Sequence, residues 1–221
     1  MNIYPAILTD ELGVAQKQLV LCEESGLVQT VQIDIIDGYF ADNVTITPSS
    51  VFDLHLGELE LDFHLMTQEP IDYVYELADY KDELPVRAVI AQLEQMSNQE
   101  LFVEEVRRNN WDAGLSINIH TPLSAIDTQI WDKIQIVQLM SITAGAQGQK
   151  FNELVFEKIT QLREIMAVKD LRLEIIVDGG VEPTVLSRLQ EYGVSSVGVG
   201  SYLWKAEDFA EAYQDLETSL L

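Results

Sequence analysis

The chain has 221 residues, 47% hydrophobic and 23% charged, long enough to bury a sizeable core and too apolar to stay disordered. Lys+Arg 13 against Asp+Glu 37 leaves a formal net charge of -24, which argues against nucleic acid or an anionic membrane as partner, since both need a basic footprint. A single cysteine, Cys22, excludes an internal disulfide, and with no basic leader pattern and no apolar run of 18 residues the expectation is a cytoplasmic protein.

Short β-branched runs alternate with amphipathic runs of helical period from one end to the other. The strand-like segments are Ile3–Leu8, Val31–Ile36, Leu59–Leu65, Val86–Ile90, Gly114–Ile119, Ile134–Met140, Leu173–Val177 and Ser196–Val199. Each precedes a helical candidate: Asp10–Ser25, Ser49–Leu56, Pro70–Tyr80, Asn98–Asn110, Pro122–Ile130, Asn152–Val168, Pro183–Tyr192 and Ala206–Leu220. Proline just after a residue that can cap, as in Thr121-Pro122 and Glu182-Pro183, marks two of the starts. Strict alternation implies a parallel sheet, and eight such units without a linker or repeat predict one closed (β/α)8 TIM barrel domain spanning residues 1–221.

In that architecture the chemistry gathers where strands run out into the following loops. Those ends carry Thr9, Gln32 and Asp34, His64 and Met66, Gln92 and Glu94, Asn118 and His120, Met140 and Ser141, Asp178, and Ser201. Asp34 comes first, because an ionised carboxylate inside the apolar run VQIDII is costly to desolvate without a metal, a cation or a substrate beside it. The plainer alternative is a satisfied structural carboxylate next to a turn at Asp37-Gly38.

Gln32, Asp34, His64 and Asp178 together could hold one divalent first-row metal, and the histidine favours Zn²⁺, Fe²⁺ or Mn²⁺ over Ca²⁺. Spacing alone does not establish it, and His64 within LDFHLM also suits a core histidine. Glycines recur after the sixth, seventh and eighth strands, in Ala144-Gly145-Ala146-Gln147-Gly148-Gln149, Asp178-Gly179-Gly180 and Gly198-Val199-Gly200-Ser201. Backbone N–H groups in such loops can cradle a phosphate without a formal positive charge, although any one of these glycines could merely shape a turn. Met66 and Met140 offer either ordinary packing or a dry wall around a reacting centre.

The segments Pro5-Ala6-Ile7-Leu8, QIDIIDGYFADNVT, LDFHLMTQEP, AGLSIN followed by TPLSAI, LMSITAGAQGQKF, IIVDGGVEP and GVGSYLWKAEDF resemble, in order and spacing, the motifs of the ribulose-phosphate 3-epimerase family. The resemblance covers essentially the whole chain. It implies a metal-dependent barrel that interconverts D-ribulose 5-phosphate and D-xylulose 5-phosphate, and barrels of this kind commonly pair as homo-oligomers. By resemblance Asp34 and Asp178 are the acid/base pair and metal ligands, and His64 is a further ligand. Thr9, His64, Met66 and Met140 are placed near the substrate, and Gly145, Ala146, Gln147, Gly148, Gly179, Gly180, Gly200 and Ser201 at its phosphate.

The departures cluster at the mouth. Gln32 stands where the family has its first metal-binding histidine, Ala6 where it has a serine, Ile36 where it has a methionine, and Gln92 where a histidine ends the fourth strand. Thr143-Ala144-Gly145-Ala146-Gln147-Gly148 replaces N-P-G-F-G-G, and Asn118-Ile119-His120 replaces N-P-A. A glutamine oxygen is a weaker ligand than imidazole, so metal affinity is expected to fall by about 10- to 100-fold or more. The alternatives are a different phosphosugar, a metal-independent reaction, His120 as replacement ligand, or a barrel without turnover that binds a sugar phosphate or a protein.

Overall fold

The protein is described here by a computed structural model covering residues 1–146 and 148–220; the phosphate-loop expectation for Gln147 lies outside the described residues. Eight strands form a closed parallel barrel in sequence order. They are β1 (Asn2–Ile7), β2 (Thr30–Ile36), β3 (Glu60–Met66), β4 (Val86–Gln92), β5 (Asp112–Ile117), β6 (Ile136–Met140), β7 (Glu174–Asp178) and β8 (Ser196–Val199). The helices are α1 (Leu12–Ser25), α2 (Pro48–Val51), α3 (Ile71–Ala78), α4 (Gln99–Arg108), α5 (Val155–Lys169), α6 (Pro183–Glu191), α7 (Ser201–Trp204) and α8 (Phe209–Thr218). None of the described helices is long and apolar enough to cross a membrane.

Alternation along each strand separates two environments. Outward residues such as Ile33, Ile35, Phe63, Leu65, Val89 and Val137 pack under the helices in the main apolar core. Inward residues build a small separate cluster of Tyr4, Ala88, Ile90, Ile136 and Ile176. This apolar waist lies between polar groups at the floor of the barrel and polar groups at its mouth. At the floor the β3–β4 register shifts beside Leu61 and Asp62, leaving Arg87 as the extra residue of a bulge. Its guanidinium pairs with Asp62 and with Glu174 and lies over the ring of Tyr4, 5.0 Å from its centroid.

Three expectations about helices are corrected. The span Pro122–Ile130 is not an α-helix but a single 3₁₀ turn at Leu123–Ala125. Side chains from neighbouring helices bind backbone groups of this segment and of the turn just before it. Gln99 donates to Ala125 O and accepts from Asp127 N, while Lys158 Nζ donates to the carbonyls of Asn118 and Thr121. The eighth unit carries an additional short helix, α7, directly after β8, ahead of the expected one. The expected helix Ser49–Leu56 is also only Pro48–Val51 long.

Candidate active site

The mouth of the barrel brings Gln32, Asp34, His64 and Asp178 together, all buried. Pairing of β2 with β3 sets Asp34 directly beside His64, and two-residue spacing puts Gln32 on the same inward face one level deeper. On the far side, β7 ends in Asp178, whose neighbour across the β7–β8 ladder is Gly198. A Cβ at Gly198 would sit 2.9 Å from the Asp178 carboxyl carbon, so only glycine leaves this carboxylate room to turn inward.

His64 Nδ1 lies 3.0 Å from Asp34 Oδ1 and 3.6 Å from Asp178 Oδ2. The Gln32 amide nitrogen sits between the two carboxylates, donating to Asp34 Oδ1 at 2.9 Å and to Asp178 Oδ2 at 2.8 Å. A second buried amide, Gln138, donates to Asp178 Oδ2 at 3.0 Å, and a third, Gln92, lies 3.2 Å from His64 Nε2 and donates to Ser116 Oγ. Burial, reinforced by the Asp34 carboxylate, pushes the Asp178 carboxyl up to about 6, against the opposing pull of His64 and the Gln32 amide.

Does this set suit a metal? One ligand atom from each of Asp34, His64 and Asp178 lies within 4.8 Å of the others. Ligands about 2.0–2.2 Å from a shared ion stand roughly 3–4 Å apart, which matches the His64 separations. The carbonyl oxygens of Gln32, Gln92 and Gln138 are all buried without a hydrogen-bond partner. An amide oxygen and nitrogen exchange places on a half-turn of the group. Turned about, Gln32 would offer its orphaned oxygen to a cation between the carboxylates, and Gln92 would accept the proton on His64 Nε2 while Nδ1 ligates. The donor set therefore fits a divalent ion once the Gln32 amide is turned to present its oxygen.

Around these groups lies a cavity of about 40 Å³, lined by Asp34, His64, Met66, Met140, Asp178 and the glycine-bearing loops. Met66 and Met140 pack with Ile36 and Ala144 as an apolar lid over the carboxylates. Gly145, Ala146, Gly148, Gly179, Gly180, Gly200 and Ser201 all line the same cavity. At Gly180, φ is 62° and a Cβ would fall 2.6 Å from Phe151 N, so the turn after β7 has no space for any other residue. The loop after β6 is fastened by Gln149, which donates to the carbonyls of Thr143 and Ala146, and by Asn43, which donates to Gly145 O.

Other strand-end residues go elsewhere. Thr9 is outside the cavity; its hydroxyl accepts from Glu11 N, and Ala6 and Leu8 represent the first unit instead. His120 is exposed on the turn after β5, outside the Asp34–His64–Asp178 group. Asp37 organises its own loop, accepting from the backbone of Tyr39, Phe40 and Gln68. Gln138 and Ser116 were not expected at the site, although their inward parity on β6 and β5 is the same signal that picks out Gln32.

Among solved structures, KGPDC from Streptococcus mutans in complex with D-R5P superposes with TM-score 0.76 at 12% identity, covering 99% of this chain and 96% of that one. A 3-hexulose-6-phosphate synthase from Salmonella typhimurium gives TM-score 0.68 at 14% identity, covering 100% and 98%. At such identities the likeness is one of fold alone. In sequence, the chloroplastic ribulose-5-phosphate-3-epimerase of Arabidopsis thaliana is 33% identical over 220 residues, covering 98% of this chain and 76% of the relative. The ribulose-phosphate 3-epimerase of Bacillus subtilis (strain 168) is 29% identical over 224 residues, 99% of each chain. Residues 2–204 match the ribulose-phosphate 3 epimerase family profile, a span that contains every residue of the site just described, and the chain belongs to the ribulose-phosphate 3-epimerase family.

Proposed function

We propose that the protein inverts C3 of D-ribulose 5-phosphate to give D-xylulose 5-phosphate, with Asp34 and Asp178 as the proton-transfer pair. The observation that carries this reading is the placement of two buried carboxylates on one small cavity, joined through a single amide donor. Inverting a carbon next to a ketone needs a base on one face, an acid on the other and stabilisation of the ene-diolate between them. Two carboxylates that repel each other in a buried site favour one ionised and one protonated member, which is the pairing such a reaction uses.

A divalent ion, Zn²⁺, Fe²⁺ or Mn²⁺, held by Asp34, His64, Asp178 and the Gln32 oxygen would supply a Lewis acid to polarise the substrate carbonyl. Gln138 keeps the Asp178 carboxylate oriented, and Gln92 fixes the His64 ring from behind. Met66 and Met140 exclude water from the reacting carbon. The phosphate end of the substrate rests against the loops bearing Gly148, Gly180, Gly200 and Ser201.

A second reading, the same chemistry on another phosphosugar, is favoured by Ala6, which lines the cavity without a hydroxyl. Proton exchange at C3 of D-ribulose 5-phosphate in D₂O, followed after chelation and then with each metal restored, tests the proposal. Metal-restored exchange is the expected result. No exchange under any condition would contradict it, and exchange into another phosphorylated ketose would select the second reading.

A further inference from the structure

The glycine-bearing loops line two adjoining cavities. The smaller holds the acid/base pair; the larger, about 410 Å³, adjoins it and shares Gly148, Gly180, Gly200 and Ser201. Its charged lining residues are Lys150, Lys205 and Glu182. The backbone N–H groups of Gly180 and Ser201 have no acceptor among the described residues. Lys205 closes the four-residue helix α7, which rises only about 6 Å. From there its Nζ lies 3.8 Å from the point where a side chain at Gly148 would begin. Although Asp+Glu number 37 against Lys+Arg 13, Lys205 forms no ion pair among the described residues.

We propose that Lys205 is a substrate-binding residue whose ammonium is the formal counter-charge for a phosphate monoester seated against Gly148, Gly180 and Ser201. This deepens the epimerase reading and rests on it for the identity of the sugar. Backbone N–H groups offer only partial charges, and a dianion approaching a protein of net charge -24 is repelled as a whole. A cation with no carboxylate of its own, a few ångströms from the cradle, offsets that repulsion where the phosphate sits. The ligand class selected is a phosphate monoester rather than a neutral sugar.

The test is calorimetric titration of inorganic phosphate into the full-length wild type, Lys205→Gln, Lys205→Arg and Lys169→Gln at two salt concentrations. Lys169, at the last turn of α5, lies at the opposite rim of the barrel and controls for loss of one charge from the overall field. Lys205→Gln should weaken phosphate binding about tenfold, as expected for a charge-assisted contact, with the gap narrowing at high salt. Lys205→Arg should restore most of the affinity, and Lys169→Gln should bind like the wild type. With D-ribulose 5-phosphate, Lys205→Gln should raise KM by a similar factor with kcat changed far less. Unaltered phosphate affinity in Lys205→Gln, or an equal loss in Lys169→Gln, would overturn the assignment and leave the epimerase reading untouched. Lys205-dependent phosphate binding without turnover of ribulose 5-phosphate would uphold the assignment and defeat the epimerase reading.

Discussion

Gln32 decides how the site behaves without a cation. Two buried carboxylates side by side would repel strongly, yet one amide group donates to both and holds them in place. That same amide must turn to present its oxygen before an ion can enter, and a neutral oxygen replaces what would be an imidazole ligand. Gln32→His should therefore bind Zn²⁺ or Mn²⁺ tighter by about 10- to 100-fold in competition with a chromogenic chelator. Equal affinity in variant and wild type would remove Gln32 from the ligand set. Polar residues interrupting the apolar strands are readable in the sequence, which is why Gln32, Asp34, His64 and Asp178 stand out. Gln138 is equally readable by parity, at the same depth below the end of β6 as Asp34 below the end of β2, but Met140 and Ser141 draw attention to that strand's end instead. Which amide atom is left without a partner depends on contacts across three strands and is invisible in the sequence.

Elements differ in how far local sequence determines them. All eight strands are legible because β-branched runs buried on both faces carry their own signature. Helices depend more on neighbours: the Pro122–Ile130 segment has a start signal but is held as a loop by Gln99 and Lys158 from α4 and α5. The β4 bulge is likewise tertiary, since Arg87 faces inward only because Asp62 and Glu174 receive it. Burial outweighs this partner for Asp62, whose carboxyl rises from 3.8 to about 6. A raised carboxyl contributes stability that is fully present below pH 3.8 and is lost as the pH climbs through 6. Melting curves should accordingly show a smaller decline from pH 4 to pH 7 in Asp62→Asn than in the wild type. Arg87→Met, which strands the charged carboxylate, should cost about 3 kcal/mol at pH 7 and less at pH 4, where Asp62 is neutral. An Arg87→Met deficit independent of pH would show that the pair matters only through packing.

At the scale of the whole molecule, the barrel separates stability from chemistry along its axis. Arg87, Asp62 and Glu174 close the floor, Ile90, Ile136 and Ile176 fill the waist, and the carboxylate pair faces the mouth beside the glycine loops. An overall charge of -24 makes the mouth a poor place for an anion except where N–H groups and a lysine converge. The central claim is that Asp34 and Asp178 move the protons. The most direct measurement is epimerisation of D-ribulose 5-phosphate by Asp34→Asn and Asp178→Asn, alongside circular dichroism and melting of each variant. Each should retain the wild-type fold and lose about 10²- to 10⁴-fold in rate. A wild-type rate in either variant would contradict the two-carboxylate mechanism.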